Sequence, residues 1–113
     1  GIGGFADENN RQWLDMLTER DFSVLKSEEE VGEICCRFFD KNGEPVYEEL
    51  QERTIAISLS ELKKIPHALG FAYGSAKATA ILSVLRAGYI NHLVTDEETI
   101  LKVLSLDGDN SFT

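Results

Sequence analysis

The 113 residues suffice for one domain or a large part of one, and 42% hydrophobic against 27% charged residues is ordinary for a globular chain. Acidic residues outnumber basic ones 20 to 11, and the resulting net charge of -9 repels nucleic-acid phosphates, which excludes this segment as a direct DNA-contacting surface. No EF-hand spacing, His/Cys ligand cluster or apolar run of membrane length appears, and the adjacent Cys35 and Cys36 form no disulfide framework, so a reduced cytoplasmic chain without metal, cofactor or membrane contact is expected.

Residues 1–5 read as a strand end running into a polar loop at 6–10, without the basic flank of a signal peptide. They are expected to be the interior of a longer chain. Asn10 can cap a helix carrying Trp13, Leu14, Met16 and Leu17 as an apolar stripe. The acidic stretch 25–31 predicts a short helix. Residues 33–39 form a β-prone run, stopped by the turn signal Asp40-Lys41-Asn42-Gly43. Residues 54–59 predict a further strand. Ser60, with Glu61 after it, can cap a short helix that ends at Ile65-Pro66.

The best-defined unit follows. Residues 67–73 predict an apolar strand, Gly74 turns the chain, Ser75 caps a helix over 76–87, and Gly88 supplies its C′ stop. Residues 89–94 predict another strand. Thr95 and Glu98 have capping-box spacing before a helix over 96–106, and the polar tail 107–113 is expected to fray. Continuously apolar strands separated by helices predict an α/β, Rossmann-like parallel sheet with helices on both faces.

In such sheets ligands bind beyond the carboxyl ends of the strands, against helix N-termini. Gly74-Ser75-Ala76-Lys77 occupies such a place: amides and dipole favour an anion, and Lys77 in the first turn would oppose the dipole unless an anion lay between them. The alternative is a solvent-exposed lysine. Gly1-Ile2-Gly3-Gly4 with Ala6 formally matches G-x-G-x-x-G/A, but no helix follows at once, so a simple tight turn competes with a ligand loop. Glu33 at a strand mouth could accept sugar hydroxyls or be a flanking charge. Arg53 could bind phosphate or form a surface ion pair. His67 and His92 have no catalytic or metal-binding partner in sequence and are expected to be structural. The cysteines are expected to be packed thiols, and Ser75 lacks the G-x-S-x-G setting of a nucleophile.

Several ordered motifs then carry a resemblance. Residues 55–66, IAISLSELKKIP, resemble the I-G-I-S-L-x-x-L-x-x-I-P segment of the SorC family of sugar-responsive bacterial regulators. Gly74-Ser-Ala-Lys77, Ala80-Ile-Leu82, Leu85-Arg86 and Asn91-His-Leu-Val-Thr-Asp-Glu97 follow in the family's order, and residues 31–40, VGEICCRFFD, resemble its V-G-D-I-x-x-R-F-F-D. The resemblance covers nearly the whole chain. It implies that residues 1–113 are the C-terminal portion of an effector domain similar in fold to ribose-5-phosphate isomerase and glucosamine-6-phosphate deaminase. It also implies a phosphorylated-sugar effector, a homo-oligomer, and DNA contact only through an N-terminal helix-turn-helix absent from this chain. Carried over by position, Gly1, Gly3 and Gly4 form the early glycine loop, Glu33 contacts hydroxyls, and Gly74, Ser75 and Lys77 hold the phosphate. Glu33 stands where the family has aspartate, and Cys36 where glycine is frequent. The reading is non-catalytic; the alternatives are a sugar-phosphate isomerase or deaminase on the same fold, which needs a positioned base, and a nucleotide-binding fragment.

Overall fold

The computed structural model describes residues 1–6 and 11–108; the cap expected at Asn10 and the tail from residue 109 lie outside the described residues. β1 (Ile2–Gly3) is followed by the single-turn α1 (Arg11–Leu14) and by α2 (Glu19–Ser27). Thr18 and Asp21 close a capping box on α2, each side chain accepting the other's backbone N–H. This cap, which sequence reading passed over, starts the acidic helix earlier than expected, and residues 30 and 31 already belong to β2 (Glu30–Ile34). Asp21 is also buried against the Tyr47 hydroxyl (2.7 Å) and the Arg53 guanidinium (3.0 Å). Arg53 is therefore engaged in an ion pair, the blander of its two readings.

The run 33–39 is a hairpin, not one strand. β2 turns at Cys35–Cys36 into the antiparallel β3 (Arg37–Asp40), with Ile34 opposite Arg37. Both cysteines have positive φ, 53° and 61°, as a two-residue type I′ loop requires. Their thiols are exposed at the tip, which corrects the expectation of packed thiols. β1 pairs antiparallel along the other edge of β2, placing Gly3 opposite Glu33. The parallel arrangement expected here is thus replaced by an antiparallel sheet, β1-β2-β3. Successive strand residues face opposite sides. Phe39 enters a core with Ile2, Ile81 and Tyr89, whereas Phe38 enters a second one with Trp13, Leu25 and Leu50. Burial on both faces is why the run reads as continuously apolar.

The turn at residues 40–43 forms as expected, with Gly43 N donating to Asp40 O and Asn42 N to Asp40 Oδ1. After α3 (Glu48–Glu52), residues 54–58 do not form the expected strand. Their carbonyls face Arg37 instead. This buried guanidinium donates from Nη1 to Gln51 O (2.8 Å) and Gln51 Oε1 (3.1 Å), and from Nη2 to Thr54 O (3.4 Å) and Ala56 O (2.7 Å). Nε donates to Ile57 O at 3.2 Å, so all the N–H groups of the fork have acceptors. α4 (Leu59–Leu62) is capped by the Ser58 hydroxyl, which accepts from Glu61 N, and not by Ser60.

The expected strand–helix–strand unit is present with shorter strands. β4 (Leu69–Phe71) leads through Gly74 and a 3-10 turn, Ser75–Lys77, into α5 (Ala78–Ala87). Ser75 makes no side-chain cap, contrary to expectation. Gly88 in the left-handed region ends α5, and β5 (His92–Val94) pairs parallel with β4. The cap of α6 (Glu97–Asp107) is Asp96, whose Oδ1 accepts from Thr99 N, rather than Thr95. Gly70 and Leu93 face inward, while Leu69, Phe71 and Val94 are each more than half exposed. Among the described residues, only one face of this parallel pair is covered. The architecture is mixed α/β, and no described helix is long and apolar enough to cross a membrane.

Close packing of α5 on β2 depends on Gly32. A Cβ there would lie 2.5 Å from Ala80 Cβ and 2.6 Å from Gly3 O, and neither neighbour is a flexible side-chain end. Gly32→Ala should therefore destabilise the fold by about 1–3 kcal/mol, read as a lower urea midpoint; an unchanged midpoint would show that β2 and α5 can separate freely.

Candidate ligand-binding site

β1, β2 and the carboxyl ends of β4 and β5 surround a cavity of about 650 Å³. That size is within the range of small-molecule sites. β4 and its extension contribute Phe71, Ala72 and Tyr73, β5 and the cap of α6 contribute Val94, Thr95 and Asp96, and Lys77 reaches in from the 3-10 turn. Gly1, Ile2, Gly3 and Glu33 complete the lining.

Register fixes Glu33. As the cross-strand partner of Gly3, its side chain folds over that glycine, and a Cβ on Gly3 would fall 2.3 Å from Glu33 Oε1. The other carboxylate oxygen accepts from Cys36 N at 3.0 Å, so the hairpin turn orients the group. Burial pushes the Glu33 carboxyl above its ordinary range, while the Cys36 N–H and the nearby Lys77 charge oppose that shift. Glu33 lies near the end of β2 rather than at the beginning of a strand.

Lys77 has its ammonium 6.0 Å from the centre of the Tyr73 ring, and its stem runs beside Gly4, where a Cβ would meet Cγ at 3.4 Å. Gly74 takes φ of 106° and donates its N–H to Thr99 Oγ1 at 2.8 Å. Thr99 N in turn donates to Asp96, so one buried threonine ties the two turns that carry Lys77 and Asp96. Hydrogen bonds from the Thr99 side chain and amide hold the Asp96 carboxyl below the usual range. Among the described residues, the buried Thr95 hydroxyl has no hydrogen-bond partner.

Of the residues singled out in the sequence, the fold gathers Gly1, Gly3, Glu33 and Lys77 around one cavity, with Gly4 against the Lys77 stem. Gly74 and Ser75 shape the turn and do not line the cavity; the Gly74 amide is already paired. Tyr73, Thr95 and Asp96 were missed. Thr95 and Asp96 follow a strand just as Gly74 does, so the rule applied to one strand end would have found them at the other. His67 and His92 lie at the amino ends of β4 and β5, where their rings approach each other, Nδ1 to Nε2 3.5 Å, away from the cavity. Among the described residues, the side-chain chemistry at the cavity is the Lys77 ammonium for an anionic group and the Glu33 and Asp96 carboxylates, which accept hydroxyl hydrogens.

The family described as "Putative sugar-binding domain" matches residues 1–105. The chain is 34% identical over 99 residues to the sorbitol operon regulator of Klebsiella pneumoniae, covering 88% of this chain and 31% of that protein. Among solved structures, a transcriptional regulator from Streptococcus pneumoniae TIGR4 is 63% identical, with a TM-score of 0.90 over 96% of this chain and 42% of that one. The full-length sorbitol operon regulator SorC from Klebsiella pneumoniae is 33% identical, with a TM-score of 0.79 over 91% of this chain and 33% of its own. The chain thus spans less than a third of the length of the regulator sequences it matches, 31%, 30% and 24% for the first three.

Proposed function

Since this chain belongs to the sugar-binding domain family of SorC-type transcriptional regulators, we propose that it is the C-terminal part of an effector domain that senses a phosphorylated sugar without chemical turnover. The carrying observation is that Lys77 and Glu33 line one cavity, at the carboxyl ends of β4 and β5. The Lys77 ammonium meets the phosphate, with the glycine-rich β1 segment, Gly1 to Gly4, giving it close backbone approach. Glu33 and Asp96 accept sugar hydroxyls, and the Thr95 hydroxyl, without a partner among the described residues, gains one in the ligand. Gly74 and Ser75 contribute by aiming Lys77. In this reading β4-α5-β5 forms part of a larger Rossmann-like parallel sheet, and the exposed row Leu69, Phe71 and Val94 packs against the rest of the effector domain. DNA is contacted through a separate domain of the cytoplasmic, oligomeric regulator, whose assembly states differ in effector affinity.

The test is thermal. At a hundredfold excess over Kd, fructose 6-phosphate or another monophosphorylated hexose should stabilise the full-length protein by roughly 2.7 kcal/mol, raising Tm by several degrees. The matching free sugar should give no shift at equal concentration. A shift with the free sugar as large as with its phosphate would remove the phosphate from the reading, and conversion of the ligand at an enzyme-like rate would replace sensing by catalysis.

A further inference from the structure

The tip of the β2–β3 hairpin carries two thiols where the turn itself asks for neither. A two-residue loop with both central φ values positive is ordinarily built from Asn, Asp or Gly. Here Cys35 and Cys36 hold that conformation with both side chains exposed. The backbone N–H of Cys36 is at the same time the group that holds the Glu33 carboxylate, at 3.0 Å. One turn therefore joins a vicinal dithiol to the cavity wall.

We propose that Cys35–Cys36 is a thiol–disulfide exchange site for small disulfides of the glutathione class, and that its closure releases Glu33 and weakens effector binding. The effector arm rests on the pocket reading given above. In the first step the Cys35 thiolate attacks one sulfur of a small disulfide RSSR, giving a mixed disulfide on Cys35 and expelling RS⁻. In the second, Cys36 attacks the Cys35 sulfur and expels the other RS⁻. The protein gives up two electrons and two protons, and one RSSR becomes two RSH. Cys35, at the exposed tip, makes the first attack, because burial and the neighbouring Glu33 carboxylate push the Cys36 thiol above its ordinary range.

Closure cannot leave the turn as it is. Adjacent Cα atoms across a trans peptide are about 3.8 Å apart, whereas disulfide-linked Cα atoms begin at about 4.4 Å. No change of φ or ψ lengthens that separation, so ring closure must twist the Cys35–Cys36 peptide and the dihedrals on either side of it, and the N–H carried by that peptide is the Cys36 N–H that holds Glu33. Glu33 then loses a donor aimed at its charged form. A reducing compartment keeps the ring open, and transient disulfides in such compartments typically report oxidation.

The experiment treats the full-length protein with oxidised glutathione and follows intact mass. The expected product has lost two hydrogens and carries no glutathione, and Cys35→Ser stops at no ring. In the closed form the Cys36 amide resonance moves, the Glu33 carboxyl titrates at higher pH than in the reduced protein, and fructose 6-phosphate binds about tenfold more weakly for the loss of one charge-assisted hydrogen bond. Cys35→Ser binds as the reduced parent does, and with the oxidant it forms at most a mixed disulfide on Cys36 and never the ring. Failure of the ring to form overturns the proposal, as does a closed ring that leaves the Cys36 amide, the Glu33 titration or the affinity unmoved. If ring and titration behave as expected but no sugar phosphate binds even the reduced protein, the pocket reading falls and the coupling of turn to carboxylate stands.

Discussion

Replacing Arg37 with methionine should destabilise the protein by about 2–4 kcal/mol, lowering the urea midpoint by about 1–2 M with little change in slope. The guanidinium is buried at the start of β3 and spends its whole donor set on Gln51, Thr54, Ala56 and Ile57. No carboxylate takes part in these bonds, so the loss is one of unpaired acceptors rather than of an ion pair. Methionine fills the stem's volume and leaves carbonyls facing an apolar sulfur. Solvent can reach some of them, since Ile55 is fully exposed, which keeps the cost below the sum for buried groups. Arg37→Lys keeps the charge but offers three donors on a point, so at most part of the set is restored and about half the loss remains. Hydrogen exchange locates the effect: amides of residues 54–62 should lose protection before those of α5. A midpoint within about 0.2 M of the parent's would show that the 54–58 segment is held by something other than Arg37.

The same side chain explains where sequence reading stopped. Residues 54–59 are β-prone, and nothing local says that their carbonyls will be claimed by an arginine on another strand. The hairpin was missed for a related reason: Cys-Cys carries no turn signal, and Phe38 and Phe39 are both apolar because each serves a different core. What was legible is the unit from β4 to α6. Gly74 and Gly88 mark the ends of elements through positive φ, and the apolar positions of α5 recur at helical spacing. The caps fell one or two positions away, Ser58 for Ser60 and Asp96 for Thr95, because neighbouring residues were equally able acceptors and only the chain's path decides between them. Lys77 could be singled out from its place after a strand. That Glu33 would share a cavity with it could not, since antiparallel pairing of β1 with β2 does the work, and only the family resemblance had put the two in one site.

Lys77→Met should cost about tenfold to a hundredfold in affinity for a sugar phosphate while leaving the ligand-free protein as stable as the parent. Methionine keeps an unbranched stem beside Gly4 and loses the ammonium, that of the one lysine lining the cavity among the described residues. Its interaction with the Tyr73 ring, at 6.0 Å, lies at the outer limit for a cation over an aromatic face and contributes little to folding. The two carboxylates that share the cavity make the effect larger than removal of a lone surface charge. With Glu33 and Asp96 both lining the cavity, a phosphate entering without Lys77 meets like charge, and Glu33 loses the cation that favours its ionised form. The loss should therefore shrink as pH falls through the raised Glu33 range, where protonation removes part of the repulsion. Lys77→Arg keeps the charge and should recover most of the affinity, less whatever the planar fork loses in the space beside Gly4. Titration calorimetry of parent and variants against fructose 6-phosphate and fructose reads all of this. Equal affinity of parent and Lys77→Met for the phosphate would take Lys77 out of the site and leave the cavity to a neutral polyol.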